Sequence, residues 1–158
     1  MKEILRVDGY NIEFPNSWEN YGQARLICYV SEEIKYSRRI LNENFDHLPT
    51  ITLDIGLGKA AKTVAHFYYR EWKNGVTGES NNSSQLNHMK QHIRQWREIA
   101  NSGRNFVALG DANLCSLSWN DPNFRHKELA DEVQNFLLGE SCFQLVNKAT
   151  RIQTVGGI

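Results

Sequence analysis

The sequence has little of what marks a secreted or membrane protein. It contains three cysteines, Cys28, Cys115 and Cys142, which are odd in number, far apart and without a CxxC pair. This pattern predicts neither a disulfide framework nor a structural zinc site. No stretch reaches the roughly 18 apolar residues of a membrane span, and the opening MKEILRVDGY lacks the apolar core of a signal peptide. We therefore expect a soluble intracellular protein, nuclear or cytoplasmic, that is not secreted.

The chain also lacks an excess of charge of either sign. Its 18 Lys and Arg residues balance its 18 Asp and Glu residues, whereas a strong autonomous nucleic-acid binder usually carries a basic surplus. A local basic patch is still compatible with this balance. With 158 residues, of which 41% are hydrophobic, and with no internal repeat or linker, the chain fits one globular domain.

The first half of the chain has the composition of β-strands. The run ARLICYV at residues 24–30 predicts a largely buried strand, paired across a short turn with a strand over residues 34–40. Residues 50–55 (TITLDI) alternate apolar and polar side chains, as a half-buried strand does. After a turn at GLGK, residues 62–69 (KTVAHFYY) complete a second hairpin.

The second half alternates helices with strands. Residues 71–84 are rich in Gly, Asn and Ser and predict a surface loop, whose last serine begins a helix that ends near residues 101–103. The run FVALG at residues 106–110 is typical of a strand covered on both faces. A second helix is predicted from Asp121–Pro122 to Gly139, and CFQLV at residues 142–146 predicts a last strand. The apolar faces of the two helices are Leu86, Met89, Ile93 and Trp96, and Leu129, Val133, Phe136 and Leu137. This order predicts a mixed α/β layer architecture.

The sharpest candidate site is the sequence Gly110-Asp111-Ala112-Asn113, where a predicted strand gives way to a loop. Ligand sites in open α/β sheets favour the carboxyl ends of strands. A carboxylate there can orient or deprotonate a water, and an amide two residues later can hold a phosphate. On spacing alone, a solvent-exposed Asx turn is the slightly better interpretation.

Four blocks of sequence carry a more specific signal through their order and spacing. They are GYNIEF with ARLICYVSEEIKYSRR, then HFYYREW, then NFVALGDANLCSLSWNDP, and finally LVNKATRIQTVGGI. Together they resemble the endonuclease/exonuclease/phosphatase (DNase I-like) family, and most closely its non-LTR retrotransposon branch. The branch's usual Arg-Gly-Gly is replaced here by Gly22-Gln23-Ala24-Arg25. The resemblance implies a fragment of the four-layer α/β sandwich of that family, with mixed, mostly antiparallel sheets flanked by helices.

That resemblance also implies a chemistry, the hydrolysis of a DNA phosphodiester by a magnesium-dependent nicking endonuclease. Asp111 would position or activate the attacking water, Asn113 would bind the scissile phosphate, and Tyr69 would contact the phosphate or its developing charge. Arg70 would assist at the phosphate. Magnesium suits this chemistry because it neutralises phosphate oxygens. Without the resemblance, Tyr69 is better read as an aromatic that closes a sheet end, and Tyr68 competes with it in register.

The family's site uses further residues that have no matching position in this sequence. These are an asparagine and a metal-binding glutamate from early strands, and an Asp-His pair from a late strand. We therefore expect residues 1–158 to form a single partial domain that binds little metal and cleaves little DNA alone. The parent domain would bind DNA, and the rest of a reverse transcriptase polyprotein is an expected partner.

Two other interpretations stay open. One is a catalytically inactive transposon remnant that serves at most as an interaction or nucleic-acid-contact module. The other is an unrelated α/β binding domain, which a large distance between Tyr69 and Asp111 would favour.

The remaining candidates are interpreted as structural. His88 and His92 have the spacing of paired zinc ligands, but HMKQH lacks the glutamate of the zinc-protease motif, so both are expected to be solvent-exposed. Trp119 fits either base stacking or the anchoring of a loop. His66 and His126 have no partner visible in the sequence, and Cys115 is interpreted as a small packing residue. Arg94 and Arg97 lie off the apolar stripe and are interpreted as solvent-exposed.

Overall fold

The structure is a computed structural model that describes residues 5–16, 18, 25–43, 45, 47–57, 61–70, 78–114 and 126–146. Over these ranges the chain is an α/β fold of mixed sheets and helices. The strands are β1 (Tyr10–Glu13), β2 (Cys28–Ser31), β3 (Tyr36–Arg38), β4 (Thr50–Leu57), β5 (Ala61–Tyr69) and β6 (Asn105–Asp111). The helices are α1 (Gly78–Ala100) and α2 (Lys127–Gly139).

The main sheet has the strand order β3-β4-β5-β6. The predicted hairpin of β4 and β5 is confirmed, with Thr50 opposite Tyr68 and Leu57 opposite Ala61. On one face, Ile51 and Leu53 are fully buried, as the alternation predicts. Thr52, on the other face, is also buried, because a layer of helices covers that side. The sheet is therefore an interior layer rather than a half-exposed one.

The second sheet pairs β1 with β2, antiparallel, with Tyr10 opposite Ser31. Cys28 and Val30 of β2 pack against Ile51 and Leu53 of β4, so this sheet covers the face opposite the helices. The predicted pairing of residues 24–30 with residues 34–40 is wrong, because β2 pairs with β1 whereas β3 pairs with β4. The short turn between them joins two sheets instead of closing a hairpin. Strand β2 is also shorter than predicted, since residues 25–27 are not part of it.

The helix layer forms the largest apolar cluster. Met89, Ile93 and Trp96 of α1 pack with buried residues of α2, as the two predicted stripes require. The buried residues of α2 are Leu129, Ala130, Val133 and Phe136. Helix α2 ends at Gly139 as predicted, whereas the predicted start at Asp121–Pro122 lies outside the described residues.

Helix α1 begins at Gly78, earlier than the predicted start at Ser84. Residues 78–84 of the predicted loop are therefore helical, and residues 71–77 lie outside the described ranges. A weak local preference of Asn and Ser against helix is readily overridden by tertiary contacts. Gln85, in the next turn of α1, is buried and accepts a hydrogen bond from Arg70, which follows β5.

Two predictions for the second half of the chain, for residues 106–110 and for residues 142–146, are wrong. Strand β6 is an edge strand beside β5, and Leu109 is 47% exposed, so its apolar run is not covered on both faces. Residues 142–146 do not form a strand, and Phe143 is 85% exposed. A short apolar run does not by itself determine whether the rest of the fold covers it or extends it as a strand.

No helix within the described ranges is long and apolar enough to cross a membrane.

Candidate functional site

Strands β5 and β6 end side by side at one edge of the main sheet. They are parallel, and the last residue of β5, Tyr69, lies opposite the last residue of β6, Asp111. Neighbouring strands lie about 4.8 Å apart, so the sheet brings together two residues that the whole of α1 separates in sequence. The large separation that would favour an unrelated binding domain is therefore not observed.

The register also distinguishes Tyr69 from Tyr68. Because successive strand residues face opposite sides, Tyr69 lies on the side of Ala65 and Phe67, away from the helices. Tyr68 lies on the helix side, where its ring centroid is 5.0 Å from that of Trp96. Burial, followed by the nearby carboxylate of Asp111, raises the pKa of Tyr68 to about 12. Tyr68 is therefore a neutral part of the core, and Tyr69 is the half-buried residue beside Asp111.

The turn after β6 fixes Asn113 next to Asp111. The backbone N–H of Asn113 donates to Oδ1 of Asp111 over 2.7 Å, which is the Asx turn that spacing alone suggested. Asn113 has a φ of 48°, in the left-handed region that Asn tolerates better than most residues. Its Nδ2 donates to the carbonyl oxygen of Arg70 over 2.6 Å. The turn leaves Asp111 exposed, and among the described residues the second N–H of the Asn113 amide has no acceptor.

The side chain of Arg70 is hydrogen-bonded to the backbone of this turn. Its side chain is fully buried, and the guanidinium donates to the carbonyl oxygens of Ala112 and Asn113 and to Oε1 of Gln85. Its backbone N–H donates to the carbonyl oxygen of Asp111 over 2.9 Å. Burial lowers the pKa of Arg70 to about 10, so the group is still charged at neutral pH. The phosphate contact predicted for Arg70 requires the guanidinium to leave these partners.

Gly110 is required by the close approach of the two strand ends. A Cβ at this position would clash with the backbone carbonyl of Tyr68. The glycine of the Gly-Asp-x-Asn sequence therefore lets β6 lie tightly against β5, which positions Asp111 beside Tyr69.

The prediction of solvent exposure for His92 is wrong, because the side chain is 1% exposed. Helix α1 is covered by the sheet on one side and by α2 on another, so its buried face is wider than one apolar stripe. His88 is half-buried, and its ring centroid lies 5.8 Å from that of His47. His66 is also buried, and its Nδ1 is 2.8 Å from Oγ1 of Thr52.

Sequence reasoning missed Gln85, the residue through which α1 contacts Arg70. The signal available was its place one turn before Met89, on the continuation of the apolar stripe, where a polar side chain needs a buried partner. Arg94 and Arg97 are exposed, as predicted. Cys115 and Trp119 lie outside the described residues, and His126 precedes α2 without a side-chain capping hydrogen bond.

The described residues contain no group of three or more His, Cys, Asp or Glu side chains that could hold a metal ion. Asp111 contributes a single carboxylate at this sheet edge. Magnesium in proteins is usually held by one or two carboxylates together with substrate phosphates. The side chains described here are therefore a poor fit for a magnesium site that exists before substrate binds.

A comparison with models of known protein families found none that matches the chain, and neither curated proteins nor solved structures gave a match.

Proposed function

We propose that this chain carries the phosphate-handling part of a phosphodiesterase site, in a DNase I-like domain of the retrotransposon endonuclease branch. One observation carries the proposal. Two residues that the sequence resemblance selected, Tyr69 and Asp111, lie opposite each other at the carboxyl ends of the parallel strands β5 and β6. Asn113, the third of them, is fixed beside Asp111 by its hydrogen bonds to Asp111 and Arg70.

The chemistry of these groups suits the hydrolysis of a phosphodiester. The exposed carboxylate of Asp111 accepts a proton from an attacking water, as a general base does. The amide of Asn113 donates its remaining N–H to a phosphate oxygen, and the Tyr69 hydroxyl donates to a second one. As the water oxygen bonds to phosphorus, the bond to the leaving oxygen breaks.

Magnesium, in the family that the chain resembles, neutralises charge on the phosphate. Because one carboxylate is a poor site for it, no step here is assigned to the metal. We expect the chain alone to turn over slowly, since electrostatic stabilisation of the transition state usually supplies much of the rate.

The test is the nicking of supercoiled plasmid in the presence of magnesium. The purified chain should nick weakly, and a fusion that adds the family's glutamate and Asp-His strands should nick faster. In the fusion, Asp111→Ala should lower the rate by about 100-fold or more, as expected for loss of a general base. Asp8→Ala, which removes an exposed carboxylate, is the matched control and should leave the rate unchanged. Equal rates for both variants would contradict the proposal.

The alternative is a catalytically inactive interaction or nucleic-acid-contact module, and it is favoured because the described residues place one carboxylate, that of Asp111, at this site. It predicts that neither the chain nor the fusion nicks plasmid, whereas the chain still retards DNA in a gel.

A further inference from the structure

Strand β6 forms an unprotected edge of the main sheet. In the described part of the chain it pairs with β5 on one side and with no strand on the other. Edge strands of soluble proteins are usually short, or they carry charged side chains or proline, which keep other chains from pairing with them. Strand β3, at the opposite edge, follows this rule, since it has 3 residues and includes Arg38. Strand β6 has 7 residues and carries neither a charge nor a proline before Asp111.

The backbone of β6 has hydrogen-bonding groups that point away from β5. The carbonyl oxygen of Asp111 accepts from the backbone N–H of Arg70 over 2.9 Å, so the backbone groups of Asp111 point toward β5. Because this direction alternates along a strand, the N–H and C=O groups of Phe106, Ala108 and Gly110 point toward the outer edge. Ala108 and Gly110 are exposed and Phe106 is half-buried. The outer edge is therefore accessible to another strand.

An apolar side chain is exposed at the same edge. Leu109 is 47% exposed and lies on the face of the sheet opposite the helices, with half-buried Val107 two residues before it on that face. An exposed leucine by itself is common on protein surfaces. Here it lies beside outward-pointing backbone groups, so a strand that pairs with this edge would also cover the leucine.

The sequence of β6 is complementary to itself when two copies run antiparallel. Centred on Ala108, this register gives three kinds of cross-strand pair: Phe106 with Gly110, Val107 with Leu109, and Asn105 with Asp111. The first gives an aromatic ring the space beside a glycine, and the second covers the exposed leucine with an apolar neighbour. The third places a neutral amide beside the carboxylate, so no like charges lie opposite each other.

The same register also pairs the outward-pointing backbone groups with one another. Ala108 lies opposite Ala108, and Phe106 lies opposite Gly110, so all of these residues fall at hydrogen-bonded positions. Each such antiparallel pair exchanges two hydrogen bonds, which gives about six in all. A register shifted by one residue would lose this match.

We propose that β6 is a dimerisation edge at which a second copy of this chain pairs antiparallel, joining two 4-stranded sheets into one continuous sheet. The two-fold axis passes through the sheet at Ala108 and makes the interface isologous. Both helix layers then lie on the same side of the joined sheet. The pairing requires no catalytic role for Asp111, although it brings Asn105 of the second copy beside that carboxylate.

The test is the mass of the full chain in solution, measured by sedimentation equilibrium from micromolar to near-millimolar concentration. The mass should rise from that of one chain toward that of two. Leu109→Lys places a charge at the edge and should raise the dissociation constant of the dimer by about 10-fold or more. Ile40→Lys is the matched control, because Ile40 is 81% exposed and follows β3 at the opposite edge of the sheet. It should leave the dissociation constant unchanged.

Crosslinking provides a second measurement that adds no charge to the edge. In the proposed register the two Cα atoms of residue 108 lie about 5.5 Å apart, a separation that a disulfide can span. Ala108→Cys should therefore form a disulfide-linked dimer under mild oxidation faster than Ile40→Cys, which retains the same native cysteines.

A mass of one chain at every concentration would overturn the dimer. If a dimer forms but Leu109→Lys and Ile40→Lys weaken it equally, the interface is not β6. The same conclusion follows if Ala108→Cys crosslinks no faster than Ile40→Cys. Circular dichroism should show that each variant is folded as the wild type is, and if Leu109→Lys is not, the crosslinking comparison decides the outcome.

Discussion

Arg70 shows how one buried residue can shape a site without being exposed to a substrate. A buried guanidinium requires hydrogen-bond partners, and here its Nε, Nη1 and Nη2 each donate to an acceptor in the turn or in α1. Its contacts determine where the backbone of Ala112 and Asn113 lies. On these contacts we assign Arg70 a role in positioning the turn at Asp111 and Asn113.

Arg70→Met should destabilise the protein strongly. It leaves the carbonyl oxygens of Ala112 and Asn113 and the side-chain oxygen of Gln85 without their donor, at about 1 kcal/mol or more for each. We expect the free energy of unfolding, measured in urea, to fall by about 3 kcal/mol or more. Arg94→Met, at an exposed position of α1, should change it by less than about 0.5 kcal/mol.

The opposite pattern would restore the role that the sequence resemblance implied. If Arg70→Met has wild-type stability but no longer retards DNA in a gel, the guanidinium contacts phosphate rather than the turn.

At the scale of the element, the spacing of apolar and polar residues predicted the features that depend on a single segment of the chain. The hairpin of β4 and β5 and the apolar stripes of both helices follow from the spacing of side chains along single segments. The pairing of strands from different segments does not follow from that spacing. Strand β3 pairs with β4, whereas β2 pairs with β1, and no pattern within residues 24–40 distinguishes that arrangement from a hairpin.

The sequence likewise predicted some features of the candidate site and not others. The sequence placed Asp111 and Asn113 where a strand gives way to a loop; in the structure Asp111 is the last residue of β6 and Asn113 lies in the turn that follows. The position of Gln85 on the continuation of the apolar stripe indicates burial, but nothing in the sequence identifies Arg70 as its partner or shows that His92 is buried. Those facts depend on which faces of α1 are covered by neighbouring layers, and a polar residue in a helix does not reveal this by itself.

The packing of α2 on α1 provides a test of the helix layer. Phe136 is 2% exposed within the main apolar cluster, whereas Leu138, on the same helix, is 81% exposed. Phe136→Ala should lower the free energy of unfolding by about 3 to 5 kcal/mol, because it leaves a cavity. Leu138→Ala should change it by less than about 0.5 kcal/mol. Similar losses for both variants in urea denaturation would contradict the docking of α2.

At the scale of the whole molecule, the layer between the main sheet and α1 contains buried polar groups. Atoms of His66, His92, Gln95 and Trp96 are buried there and accept or donate no hydrogen bond within the described part of the chain. Burial lowers the pKa of His66 to about 4. Burial first, and then the nearby titratable groups His66 and Arg70, lower the pKa of His92 to about 3. Both rings are therefore neutral in the folded protein at neutral pH.

These two histidines make the stability depend on pH in a defined direction. The unfolded chain binds their protons as the pH falls below 6.5, the ordinary value, whereas the folded protein binds them only near pH 4 and pH 3. Between these values the unfolded state carries more protons, so the free energy of unfolding falls as the pH falls. The loss is complete once the folded protein is protonated as well.

The fall should be measurable above pH 5, where ordinary carboxylates remain ionised. Each histidine contributes up to about 1.4 kcal/mol per pH unit, so urea denaturation should show a loss of about 2 to 4 kcal/mol between about pH 7.5 and about pH 5. His92→Leu removes one of the two groups and should reduce this loss by about half. Gln95→Leu, a buried polar position on the same helix that does not titrate, should change the free energy of unfolding equally at both pH values. If His92→Leu loses as much stability as the wild type over this range, the buried histidines are not the source of the pH dependence.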